Sequence, residues 1–408
     1  MKIKSYYLLI LLSLFVWSCE ETKETPIFGC TDSEACNFNP YANTDINNCI
    51  YAFEVGTYYE NMDCDGNCIE GYSTIIGDSD YWGNQCYFNS DIEVLEDFIE
   101  NSSSTLNYTD LDRFNINGIV DWYELGYQKW ENGRLVTFFA NWVYTNEPDF
   151  LYISNLSGLI PDSIVNWDYV TSLSLGLGLV DGMLTGSIDS LAKLSNLEFL
   201  SIVNNDFDQQ DFPEEIYDLT NLKDLYIAKN NFTGSISSNI GNLVNLEDFW
   251  AGENNFSGEL PIEVWEIPNL RSFGVEYNNL AGSLPDFSQF SLDSLYWLNL
   301  NDNNFSGEIP HSLCELDTLM ANLDQGELYQ DTYYHYFDIS NNSFCPNDET
   351  SEYPECIANY VGDQNTEDCG GGLFHMPSVR IKTLSKKLSI DNDRNKNNIV
   401  RLSSAYIR

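Results

Sequence analysis

Basic residues are scarce: 18 Lys and Arg stand against 63 Asp and Glu in 408 residues, a formal net charge of −45. Neutralising phosphates requires clustered Lys and Arg, so this balance argues against nucleic acid as a partner of the folded body. Eight of the 18 lie after Gly372 (Arg380, Lys382, Lys386, Lys387, Arg394, Lys396, Arg401 and Arg408) against only Asp391 and Asp393. The tail therefore carries +6, leaving −51 for the first 374 residues. Histidine is rarer still. His311, His335 and His375 lie far apart and none is near a cysteine pair at ligand spacing, which removes a zinc site and a His-based catalytic constellation together. Long apolar runs are also lacking, apart from residues 6–17, too few to span a bilayer. Hydrophobic residues still make up 43% of the chain and aromatics 14%, enough for a large core and against global disorder.

The N-terminus reads as an export address. Lys2 and Lys4 precede the apolar run, which ends in Val16-Trp17-Ser18-Cys19. A cysteine directly after a small residue resembles the bacterial lipoprotein signal, which implies a signal peptide at 1–18 and Cys19 as the acylated N-terminus of the mature chain. The acidic Glu20-Glu21-Thr22-Lys23-Glu24 is similar to the stretch that sends lipoproteins of the Bacteroidetes kind to the cell surface. The expected location is therefore the outer membrane or cell surface, lipid-anchored, with 19–29 as tether. Of the 11 cysteines, ten remain besides Cys19. They fall into a group of six (Cys30, Cys36, Cys49, Cys64, Cys68, Cys86) and a group of four (Cys314, Cys345, Cys356, Cys369). Even groups in an exported chain predict disulfides, with the pairing left open.

The middle of the chain repeats. Aligned on L-x-x-L-x-L-x-x-N-x-F/L, units start at Leu197, Leu222, Leu246, Leu270 and Leu295. Degenerate units begin near Leu135 and Val170, and a last one at Tyr334 (Phe337, Ile339, Asn342, Phe344) follows an insertion, making eight. Period-2 apolar positions predict one short strand per unit, stacked into a parallel sheet. The Asn after each strand (Asn205, Asn230, Asn254, Asn278, Asn303) is expected to satisfy backbone groups of neighbouring turns. TGSI, SGEL, AGSL and SGEI read as sharp glycine turns, and Ile240-x-x-Leu243 and Val264-x-x-Ile267 as apolar turns of the convex side.

These motifs resemble the plant-type leucine-rich repeat over residues 135–344. The resemblance implies an α/β-type repeat fold: a leucine-rich-repeat solenoid with a parallel β-sheet on its concave face. Gly29-Cys30-Thr31-Asp32, continuing through Ala35-Cys36-Asn37-Phe38-Asn39 to Ala42, is similar to the GCTD-x-x-ACN module of surface proteins of marine bacteria. The organisation expected is a Cys-rich disulfide module at 30–90, an N-terminal cap at 91–134, repeats at 135–344, a C-terminal disulfide cap at 345–374 and a basic disordered tail at 375–408.

No residues are singled out for catalysis or for a cofactor, so the expectation is a protein that is not an enzyme. Asp63-Cys64-Asp65-Gly66-Asn67 alternates oxygen ligands but lacks the Gly and Glu of a calcium-binding EF-hand loop, and turn formation explains it. The sequons at Asn231, Asn255 and Asn304 recur at the repeat period and need no glycan. Binding is where the sequence is most informative. Strand positions between the framework residues should point to the concave face, and they hold Tyr226, Asp248, Trp250, Arg271, Tyr277, Trp297, Asn299 and Tyr336. Aromatics among Asp and Asn compose a recognition face, with Tyr226, Trp250, Tyr277 and Trp297 forming a zigzag line. The expected partner is an extracellular protein or a glycan. The alternatives are a structural adhesin, with the repeats as spacer and the Cys-rich module making contact, and a carbohydrate-active enzyme or its inhibitor by analogy with plant inhibitors.

Overall fold

The computed structural model describes residues 26–369 apart from 34, 37, 46, 48, 50–60, 64–66, 75–84, 107–118, 144–150, 178–182, 208, 330–331, 347–351 and 368. The expected signal peptide, most of the tether including Cys19, and the basic tail lie outside the described residues. Among the described residues no helix is long and apolar enough to cross a membrane. Two compact units divide between Glu70 and Gly71.

The first unit is held by cross-links and turns. Strand Phe28–Gly29 pairs in parallel with Thr44–Asp45, a Cys30–Cys49 disulfide closes the loop between them, and Cys36 and Cys68 are also disulfide-bonded. The Asp63 carboxylate accepts the Asn67 N–H at 2.9 Å, a side-chain-to-backbone bond of the kind Asp makes in turns. Among the described residues no three His, Cys, Asp or Glu stand together as metal ligands.

In the second unit a nine-stranded sheet contains eight parallel strands, one for each unit read from the period. They are Arg134–Phe139, Ser172–Leu177, Phe199–Val203, Asp224–Tyr226, Asp248–Trp250, Ser272–Gly274, Trp297–Asn299 and Phe337–Asp338. Leu173, Leu200, Leu225, Phe249, Phe273, Leu298 and Phe337 align across the ladders and point inward, with relative exposures of 3% or less. Short 3-10 helices such as Ser238–Asn242 and Ile262–Glu266 lie opposite and bury Ile240 and Val264. Two expectations need correction. The SGEL, AGSL and SGEI segments are not only turns: Ser257–Glu259, Asn279–Gly282, Asn304–Glu308 and Ser343–Cys345 form a second parallel sheet. Gly258, Gly282 and Gly307 take φ of 81–93° within it, a conformation only glycine adopts without strain. The last unit, aligned from Tyr334, has its repeat strand only from Phe337, because Thr332–His335 pairs with Gly326–Tyr329 in an inserted hairpin.

The asparagine column works as expected. Asn278 Nδ2 donates to the carbonyls of Ala251 and Val275 at 3.0 Å each, and its Oδ1 accepts the Phe256 N–H at 2.9 Å. Asn254, Asn303 and Asn342 repeat the pattern, and Asn230 donates likewise to the Ile202 and Ile227 carbonyls while its Oδ1 accepts the Asn205 N–H. These bonds satisfy backbone groups that leave the sheet in the interior, where an unpaired amide costs about 1–3 kcal/mol.

Both ends of the stack are closed. At the start, strand Tyr127–Glu131 pairs antiparallel with Arg134–Phe139 through Asn132-Gly133, both at positive φ, the turn whose twist matches a hairpin. Helix Asn89–Asn101 buries Ile92, Val94, Leu95 and Phe98 over the first units. Its buried Asp91 binds Arg134 at 2.8 Å and accepts the Leu135 N–H at 2.9 Å. Burial raises the Asp91 carboxyl, opposed by the Arg134 hydrogen bond and the Leu135 N–H. At the far end Gln364 takes over from asparagine: its Nε2 donates to the Ile339 carbonyl at 2.9 Å and its Oε1 accepts the Phe344 N–H at 3.1 Å. Disulfides Cys314–Cys356 and Cys345–Cys369 tie this closing segment to the last units, both within the even C-terminal group.

Candidate functional site

The face of the main sheet turned away from the core carries a continuous file of aromatic rings. Phe139, Phe199, Tyr226, Trp250, Trp297 and Tyr336 follow one another with centroid separations of 5.7, 5.5, 5.1, 5.1 and 4.9 Å, and Tyr296 adjoins Tyr336 at 5.6 Å. The file spans eight strand positions with six rings because two strands supply none. Ser172 and Ser174 lie between Phe139 and Phe199, and Ser272 and Gly274 lie between Trp250 and Trp297. Only small side chains there let rings two strands apart meet. Trp250 is further fixed by its Nε1, which donates to Ser272 Oγ at 2.6 Å.

The residues singled out from the sequence fall into three sets. Tyr226, Trp250, Trp297 and Tyr336 are in the file. Tyr226 and Trp297 are buried, at 5% and 7% exposure, although they stand on the face turned away from the core. The rings cover one another, so they are packed as well as presented. Asp248, Arg271 and Asn299 flank the file. Asn299 is 3% exposed, whereas Arg271 is exposed and ion-paired to Glu247 at 2.8 Å. Tyr277 is not brought to the file. It takes φ 53° at the left-handed position before the ladder asparagine, as Lys229, Glu253 and Asp302 do in their units, and stands 51% exposed beyond the strand. Phe139 was missed, although it follows framework Phe138 as Tyr226 follows Leu225 and Trp250 follows Phe249. Glu276 was missed as well, since a glutamate next to a turn carries no pattern.

Electrostatics along the file are acidic. Asp224 and Asp248 are partners in register on adjacent strands, and Asp224 accepts the Tyr226 hydroxyl at 3.0 Å. Burial, and next the Asp224 charge, pushes Asp248 up to about 7, so near neutrality the two share a proton. A folded-state value above the ordinary 3.8 means that the favourable term is fully present below about pH 4 and is lost as pH rises through 7. Asp248→Asn keeps a donor toward Asp224 without titrating. It is expected to be more stable than the parent at pH 8, by on the order of 2 kcal/mol, with the gain vanishing toward pH 4. Urea unfolding at pH 4, 6 and 8 measures this; a gain independent of pH would mean the pair titrates normally.

The family model described as Leucine Rich Repeat matches residues 221–243 and 294–316. Among solved structures, the leucine-rich-repeat ectodomain of the plant receptor kinase GASSHO1/SCHENGEN3 from Arabidopsis thaliana, in complex with CASPARIAN STRIP INTEGRITY FACTOR 2, is 28% identical. That alignment covers 52% of this chain and 23% of that one, with a TM-score of 0.42. The plant peptide hormone receptor RGFR1 in complex with RGF2 is 28% identical over 50% of this chain and 28% of that one, TM-score 0.41. The Arabidopsis receptor kinase HAESA, in complex with the peptide hormone IDA and the co-receptor SERK1, is 28% identical over 51% and 31%, TM-score 0.41. The chain thus aligns with a third or less of the length of these proteins. No curated protein matches it. With the repeat matches, the eight stacked parallel strands and the asparagine column, the second unit is a leucine-rich-repeat solenoid.

Proposed function

We propose that this chain is a non-enzymatic binding protein of the cell surface, lipid-anchored through Cys19 at the outer membrane, that recognises an extracellular protein or glycan through the concave face of its repeats. The observation that carries this reading is the ring file. Sheet burial is already met by the inward positions, yet six aromatic side chains run unbroken along the other face, beside Asp248, Asn299 and Arg271. Amphipathic rings held rigid by their neighbours lose little entropy on binding and make effective anchors. The even cysteine groups and their disulfides support an exported location.

The test is capture of partners by the full chain, compared with Trp250→Ala/Trp297→Ala, using pull-down from extracellular extracts and a glycan array. The double variant should lose about 2 kcal/mol or more of binding free energy, at least 30-fold in Kd. Because the two rings stack on each other, some loss of stability is expected too, so binding is compared where both proteins are folded by circular dichroism. Unchanged capture by the variant would move the contact off this face and favour the adhesin reading, with the Cys-rich module as the contact.

A further inference from the structure

Two buried side-chain oxygens on the ring-bearing face have no hydrogen-bond donor: Glu276 Oε2 and Asn299 Oδ1. Both adjoin Gly274. Asn299 is its partner in register on the next strand, and Glu276 lies two residues further along its own chain. The Glu276 carboxylate lies across backbone that has no side chain. A Cβ on Gly252 would stand 2.5 Å from its Cδ, and one on Gly274 would stand 3.0 Å from Oε2 and 3.8 Å from Cδ1 of the Trp250 ring. Two acceptor oxygens, one of them on an ionisable group, thus sit at the edge of the ring file without a donor. The nearby cations are engaged elsewhere: Lys229 contacts Glu253 at 3.4 Å and Arg271 contacts Glu247 at 2.8 Å. A buried acceptor left unpaired is costly, and the cost is recovered when a donor arrives.

We propose that Glu276 and Asn299 form the reading point for one arginine of an extended partner peptide, its guanidinium donating to both oxygens and lying against the Trp250 ring. This rests on the recognition face proposed above and specifies its ligand. A guanidinium suits the site better than an ammonium, because its planar fork serves two separate acceptors while its face stacks on an indole. Glu276 is only half-buried as a residue, so a change of side-chain rotamer turns the carboxylate toward the ligand. A neutral sugar would also need donors on the protein, and this stretch offers mainly acceptors. Burial first of all pushes the Glu276 carboxyl up to about 7. Its own backbone N–H lowers it, Glu253 and Asp338 raise it further, and Lys229 opposes them. The arriving cation displaces that proton, so binding should tighten as pH rises from 6 to 8.

The experiment is selection of a random dodecapeptide display library on the full chain, on Glu276→Gln and on Trp250→Ala/Trp297→Ala. The parent should enrich peptides with an arginine at a fixed position. Replacing that arginine by citrulline in the best synthetic peptide should weaken binding at least about 30-fold. Glu276→Gln should cost the arginine peptide a similar factor, make the citrulline change nearly neutral and leave only that part of the pH dependence which Asp248 contributes. Enriched peptides without a fixed arginine, or a citrulline peptide that binds as well, overturn the arginine site while leaving the face intact if they still need the tryptophans. Peptides that bind the double tryptophan variant unchanged overturn the face itself. No peptide enrichment together with a signal on neutral glycans assigns the face to sugars and overturns the proposal.

Discussion

Asn278→Leu is expected to lower the unfolding free energy by about 1–3 kcal/mol, a sizeable share of the total stability of an ordinary domain. Leucine matches the volume, so no cavity opens and the effect isolates the hydrogen bonds. The Phe256 N–H loses its acceptor in the interior between stacked units, while the carbonyls of Ala251 and Val275 each lose one of two donors and keep Asn254 at 3.1 Å and Asn303 at 2.8 Å. The amide then carries the desolvation cost it bore in the parent without compensation. Since each unit contacts only its neighbours, the damage should be local at first. Amide exchange should accelerate in residues 249–280 well before the cap helix Asn89–Asn101 is affected. Equal acceleration throughout would mean that the solenoid unfolds as one body and that the column is not the coupling between units.

Leu225→Asp should be more damaging still. Leu225 is fully buried, its ladder partners Leu200 and Phe249 are buried apolar residues, and no cation is among them. The substitution removes an apolar side chain and buries a carboxyl without a donor, together about 5 kcal/mol or more. At neutral pH the central units should no longer hold. Val244→Asp places the same charge in the same unit at a position 51% exposed, and should cost under about 0.5 kcal/mol. Urea unfolding of the two variants side by side checks the strand register, because a shift by one residue would make their losses alike.

Much of the scaffold was legible because the repeat writes the same physical requirement many times. The period-2 apolar pair Leu225 and Ile227 three residues after Leu222, recurring as Phe249 and Ala251 after Leu246, specifies inward strand positions whatever lies around it. The second sheet was not legible. Ser-Gly-Glu and Asn-Leu-Ala-Gly have poor strand propensity, and they become strands only because the main sheet has already set their neighbours at pairing distance. The candidate site was read in part. Tyr226 and Trp250 were found from their slot after a framework residue. Tyr277 was misplaced by counting along the strand past the point where the chain enters the left-handed turn.

What the sequence determined by itself is the number of units, their strand register, the asparagine column and the even cysteine groups, because each depends on spacing along one chain. Only the tertiary structure decided which rings meet. Trp250 and Trp297 are 47 positions apart in sequence, and their contact depends on the serine and glycine of the strand between them being too small to keep them apart. The same stacking leaves Glu276 Oε2 and Asn299 Oδ1 at the edge of the file without donors. No local pattern encodes such a vacancy, since it is a property of three neighbouring units packed together, where lateral distance and side-chain size act jointly.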